Sequence, residues 1–473
     1  MIIFIALLLY SSVIYAAPIK IDGINFQVTP SMGKQFGGNV FYSFDGFNLN
    51  KEQVVVFSGS NDIENIIGRI TGGKESVIDG EIRSEIANAN LYLMNPYGFS
   101  FGPNAVLDVQ GSIHLTTASK IYLGNTGVFE ANPEKASVLV SAAPSDFGFL
   151  DAAAIEFEGS ELFVRAGNTL SISAGDIKLN EANLTANSGR INLTALNSIE
   201  LNHSNINAGK TKTGEIYIRA GKFILKNSNI LANTIEQDIA LIDIQADDFI
   251  MNNSKIESDT FGPGNAGTII INVAQKAILD QQSQISSTSL NKGIGGDAGN
   301  IFINANELEL INSTISTNAE AAQGGNIILN VRECFKMNVS ELSATVKGGI
   351  GKGGNLAIGN PSLFNIEDSK IFANASGGDG GFILIISESA ISRSNQIAAS
   401  SETGRAGDIK IDDIYNVGIS SLPIEFVDDD NLLIAQDCSI VNDTESSSFV
   451  VTGRGGLLNA PDDLQTYIPT INY

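Results

Sequence analysis

The feature that most constrains this chain is one phrase of residues that returns along its second half. Each unit opens on a glycine, runs through alternating apolar residues, crosses a polar turn, and closes on Ser-x-Ile or a near equivalent. GRINLTALNSIELNHSNINA at Gly189, GNIFINANELELINSTIST at Gly299 and GNIILNVRECFKMNVSELSA at Gly325 are three examples. The closing apolar residues are Ile206, Ile230, Ile256, Ile285, Ile315, Leu342, Ile371 and Ile397, at intervals of 24 to 30 residues. A unit near Ala240 keeps the pattern without the leading glycine.

The period has a physical reading. Ile301, Ile303 and Ala305 alternate along the chain, the period-2 signature of a half-buried strand. Leu308 with Leu310, and then Ile315, supply two more short strands, with Gly, Asn, Asp and Ser between them for turns. A unit this short, with three strands and no helical periodicity, cannot bury its apolar face alone. Stacked units place each strand about 4.8 Å above the last around one continuous core. The expected fold is all-β, a right-handed parallel β-helix with about three strands per coil and roughly 16 to 18 coils. A leucine-rich repeat would need the L-x-x-L-x-L-x-x-N run, and a propeller a longer four-stranded unit with its aromatic-Asp signature. Neither is present.

Between units lie glycine-rich linkers such as TFGPGNAG, LNKGIGGDAG and KGGIGKGG, always just before the leading glycine. They should emerge along one edge of the solenoid, as solvated loops or as a binding surface.

Composition narrows the function. The 473 residues include 48 glycines, 11 prolines and no tryptophan. The formal net charge is −24, and no stretch gathers Lys and Arg into a basic face. Nucleic acid and anionic membranes are therefore disfavoured as partners, because both are bound by cationic neutralisation of phosphate. With only Cys334 and Cys438, a disulfide framework is excluded, and a single long-range bridge stays open. Residues 1–17 read as a signal peptide, an apolar run ending in Ala16-Ala17. No Lys or Arg precedes the apolar core, which keeps a signal anchor as the rival reading.

Catalytic and metal chemistry finds little support. His114 and His203 are the only histidines, and no P-loop, CxxC or dinucleotide fingerprint is visible. Asp247-Asp248 are strand neighbours that point to opposite faces, so they cannot form a facing acid pair. Asp428-Asp429-Asp430 fall in the non-repeating C-terminal region. No enzyme, cofactor or metal is expected.

The region before the regular units carries a further signal. GGNVFYSFDGFNL from Gly37, IIGRITGGKESVIDGEI from Ile66 and ANLYLMNPYGFSFGPNAVLDVQGSIHLTTA from Ala89 resemble the secretion domain of filamentous haemagglutinin-like exoproteins. The coils of residues 152–193 and the tail SSSFVVTGRGGL from Ser446 resemble the same group. This resemblance implies two-partner secretion: inner-membrane passage by the general route, then export through a partner outer-membrane β-barrel transporter. Asn95, Pro96, Tyr97 and Gly98 correspond to the family's Asn-Pro motif, implied to be a recognition element, and Asn-Pro followed by Gly also suits a tight turn between strands. Tyr97 stands where members usually have Asn, Tyr42 where they often have His, and the Asn-Pro-Asn-Leu element of large adhesins has no counterpart.

The sequence therefore divides into a signal peptide (1–17), a secretion domain with extra strands (18–150), a repeat region (151–422) and a C-terminal cap (423–473). The expected protein is a monomeric adhesin-like exoprotein, secreted or held on the outer surface of a Gram-negative-type bacterium, with a possible host-cell or glycan receptor. A carbohydrate-active β-helix enzyme and a passive matrix component are the alternatives.

Overall fold

The computed structural model describes residues 18–149, 152–209, 214–236, 240–292 and 295–413. The segments expected to be a signal peptide and a C-terminal cap, with Cys438 and Asp428 to Asp430, lie outside them. The chain winds as a parallel β-helix of about 15 turns. This is slightly fewer than the roughly 16 to 18 coils expected from the repeat period.

One coil shows how local sequence makes the shape. Ile301–Ile311 forms a long strand that pairs in parallel with Ile327–Asn338. Its register shifts between Ala305 and Glu307, so the strand bends at a corner and serves two faces. Ile301, Ile303, Ala305, Leu308 and Leu310 all point inward and are buried. The chain then turns at Asn312, with φ 45°, into the short strand Thr314–Ser316, which buries Ile315 on the third face. Repetition stacks like on like: the Phe223 and Phe249 rings lie 5.5 Å apart, and Phe335 and Phe364 5.2 Å apart. The resulting core is continuous from Val28 to Ala399. Each large aliphatic side chain in it contributes about 1.5–3 kcal/mol of burial.

The corner before the short strand explains the Ser-x-Ile phrase. His203, Asn227, Asn253, Gln282, Asn312, Val339, Asp368 and Ser394 occupy one position in successive coils, all left-handed with φ between 45° and 65°. The serine that follows, replaced by Asn395 only in the last of these coils, is buried and bridges two coils. Ser228 Oγ donates to its own coil at the Lys226 carbonyl (2.7 Å) and accepts from the Ser204 amide of the preceding coil (3.1 Å). Ser254 and Ser340 repeat the pattern. A serine file thus satisfies turn amides that an interior without water would leave bare.

The glycine-rich linkers form an ordered ridge. Thr234, Thr260, Ser289, Ala319, Val346, Ala375 and Ser401 are joined coil to coil by parallel bridges. The returning legs are hydrogen-bonded too, as from Ala298 N–H to the Gln323 carbonyl at 3.0 Å. Ala298, Ala319, Val346 and Ala375 bury a small core inside the ridge. Glycine is required where the ridge meets the helix: a Cβ on Gly325 would collide with the Gly299 carbonyl, and one on Gly354 with that of Gly325.

Candidate functional site

The N-terminal coils differ from the rest by what lies on their outside. Lys120–Leu123, Gly127–Glu130 and Pro144–Gly148 form an antiparallel sheet that belongs to no coil. It packs over the outer face of the first coils and buries Phe41, Ile67, Tyr92 and Met94 against Ile121, Leu123 and Phe129. Two polar residues fasten it. Arg69, 4% exposed, donates Nε to Ser43 Oγ (2.8 Å) and Nη1 to the Glu130 carbonyl (2.7 Å), with its guanidinium over the Phe129 ring. Asn39 donates Nδ2 to the Val140 and Ala142 carbonyls at 3.1 and 2.7 Å. Asn65 donates to Asn39, and Asn90 to Asn65, so one amide file runs down these coils. Sequence reasoning missed both Arg69 and this file. The signal was nevertheless present, since Asn39-Val40-Phe41, Asn65-Ile66-Ile67 and Asn90-Leu91-Tyr92 repeat at coil spacing.

A short antiparallel strand, Lys34–Phe36, and the parallel Ile19–Lys20 both pair with Asn39–Gly46, the first long strand. They occupy the edge that an open solenoid end would leave unpaired.

Asn95 to Gly98 makes the turn between Asn90–Met94 and Phe99–Phe101. Gly98 N–H donates to the Asn95 carbonyl at 3.0 Å, with Pro96 in the second position, where its fixed φ suits a turn. Asn95 is fully buried. Its Nδ2 lies 3.0 Å from each of the Lys74 carbonyl, Ser76 Oγ and the Gly98 carbonyl, and its Oδ1 accepts from Tyr97 N–H at 3.1 Å. Gly98 has φ 104°, and a Cβ there would sit 2.7 Å from the Ala154 carbonyl oxygen. Three of the four motif residues are therefore committed to the turn itself. Tyr97, 55% exposed, is the one side chain the turn presents outward.

The remaining sequence candidates are scattered. His114 stacks on Tyr92 with ring centroids 4.1 Å apart, and burial pushes its pKa down to about 4. His203 occupies a left-handed corner. Asp247 is an exposed corner residue, and Cys334 is a buried strand residue. Among the described residues no group of three His, Cys, Asp or Glu side chains is placed to hold a metal ion.

The architecture is that of a parallel β-helix whose first coils carry extra-helical strands and a tightly built Asn-Pro turn. A family model, the TPS secretion domain, matches residues 15–257, and the chain belongs to that family. It is a two-partner secretion exoprotein of the filamentous haemagglutinin type. The crystal structure of the HMW1 secretion domain from Haemophilus influenzae is similar at 17% identity and a TM-score of 0.48, covering 82% of this chain and 96% of that one. No curated protein matches.

Proposed function

We propose that this chain is an adhesin-like exoprotein, displayed on or released from the outer surface of a Gram-negative-type bacterium. A partner outer-membrane β-barrel transporter exports it by reading residues 18–150. The observation that carries this reading is the family match over residues 15–257, together with the confinement of the extra-helical sheet and capping strands to residues 18–149. Past residue 150 the coils become regular, and in this reading they are the passenger. Asn95, Pro96 and Gly98 hold the recognition turn in shape, while Tyr97 meets the transporter. The passenger acts without catalysis, as a monomer, on a host-cell or glycan receptor. An uncharged ligand suits it better than nucleic acid, given a net charge of −24.

The test is export from a Gram-negative host with and without the partner transporter. Wild-type chain should reach the medium only with the transporter. Tyr97→Ala should cut export several-fold while the purified protein melts as wild type does. Asn95→Ala should lose both export and stability, by about 2–3 kcal/mol, because four turn groups lose their partner. Export independent of the transporter would defeat the assignment.

A further inference from the structure

The outer face of the long-strand sheet, beside the ridge, has a composition unlike the rest of this acidic molecule. Ile270, Phe302, Ile328, Ala357 and Leu384 are register partners in successive coils, pointing away from the core. On one side runs a second outward file. Asn304 Nδ2 donates to Asn272 Oδ1 at 2.7 Å, and Asn330 Nδ2 to Asn304 Oδ1 at 2.8 Å. On the other side, at the foot of the ridge, Asn326 Nδ2 donates to Asn300 Oδ1 at 2.9 Å. The apolar file reaches a charged residue only at its ends, at Asp243, paired with Arg219 (2.8 Å), and at Lys410, paired with Asp412 (2.8 Å).

From this face we infer a binding site for a neutral, extended glycan lying along the solenoid axis. Charge is the first argument. In a chain with 52 acidic and 28 basic residues, a strip five coils long without one charged side chain favours a neutral ligand and offers nothing to an anionic one. Size is the second. Five rungs at about 4.8 Å and three outward positions per rung span roughly 350 Å². A stable protein interface needs about 800 Å² per partner, so a second copy of the chain would be held poorly. Chemistry is the third. A pyranose chain presents C–H faces flanked by hydroxyl edges, and this strip presents an apolar row flanked over three rungs on each side by amides. Asn304, Asn330 and Asn326 each spend one side-chain N–H on a neighbour and keep a second for hydroxyls. Phe302 supplies an aromatic face on which a sugar ring stacks. The inference rests on the receptor-binding reading above, for which it supplies the ligand class and the place.

The test uses the full secreted chain with cellohexaose, mannohexaose and maltohexaose as neutral probes and a heparin hexasaccharide as the anionic one. Binding is read by saturation-transfer NMR and calorimetry. At least one neutral probe should bind saturably, and heparin should not. Phe302→Thr and Asn304→Asp should each weaken that binding tenfold or more while the melting curve stays that of wild type. If either variant misfolds, Leu384→Lys, which puts a charge at the end of the row, should still weaken binding several-fold. Three outcomes overturn the site: no neutral probe binding at millimolar concentration, tighter binding of heparin, or unchanged affinity in the variants. A dimer in sedimentation that Phe302→Thr dissolves would also overturn it, as a self-interface. Adherence to host cells is scored in parallel. Adherence equal in wild type and Phe302→Thr leaves the adhesin reading standing and removes this site. Glycan binding without adherence does the reverse.

Discussion

At the scale of single residues, the coil repeat is an internal comparison in which each position is tried several times. Val339 occupies the left-handed corner that Asn holds in three other coils, with φ 49° and its side chain exposed. A β-branched residue there costs about 1–2 kcal/mol. Val339→Asn should therefore raise the urea midpoint, equivalent to about 1 kcal/mol, which equilibrium unfolding will show. Asp259 is a second misfit. It is 6% exposed, and its amide equivalents Asn233, Asn318 and Asn374 each accept a neighbouring coil's N–H through Oδ1. Burial raises the Asp259 pKa from 3.8 to about 6, against the Thr288 N–H and Ser286 hydroxyl that favour its charge. Because the folded value lies above the unfolded one, its stability contribution is full below pH 4 and lost as pH rises through 6. Asp259→Asn should then stabilise the protein by about 2 kcal/mol at pH 7 and hardly at all at pH 4. His114 has the opposite sense. Its pKa falls from 6.5 to about 4 on burial, so the unfolded chain binds the extra proton and stability drops as pH falls from 6.5 to 4. The loss is on the order of 2 kcal/mol. His114→Phe, which keeps the stack on Tyr92, should flatten that limb of the pH profile.

At the scale of elements, the glycine that opens each unit marks a close approach between coils. Its N–H closes the base of the ridge, as Gly325 does to the Thr317 carbonyl at 3.0 Å, and its bare α-carbon sits against the glycine below. Gly325→Ala should cost more than about 2 kcal/mol, since the obstruction is the backbone of Gly299, which cannot move aside as a side chain can. Gly46 is the contrast. A Cβ there meets only Asn48 Nδ2 at 3.7 Å, and Gly46→Ala should change the melting temperature by no more than about a degree or two. This contrast was only half legible. The recurrence of the leading glycine, the alternation and Ser-x-Ile all stand in the sequence, because each reflects a local rule of strand, turn or corner. That the linkers are a stacked ridge was not legible. Gly-rich segments carry no side-chain periodicity, and the hydrogen bonds that stack one linker on the next run between coils. The turn at Asn95 to Gly98 could be read as a turn, but the burial of Asn95 could not, since its partners Lys74 and Ser76 belong to the coil before.

At the scale of the whole molecule, stability is close to a sum over coils and their nearest neighbours. Removing one complete coil, residues 299–324, places Gly325 where Gly299 stood and keeps every stacking relation. The shortened protein should fold, with unchanged β-sheet circular dichroism and a melting temperature within a few degrees of wild type. Removing half as many residues from the same coil should break the register and expose the core. The sequence by itself determined the solenoid, its three-strand coil and the direction in which each apolar residue points, because these follow from periods of two and about 27 residues acting locally. Only the tertiary structure decided what lies outside the coils. The antiparallel sheet clamped by Arg69 and Asn39, the ridge and the uncharged strip beside it depend on contacts between residues distant in the chain, where side-chain identity alone does not encode position.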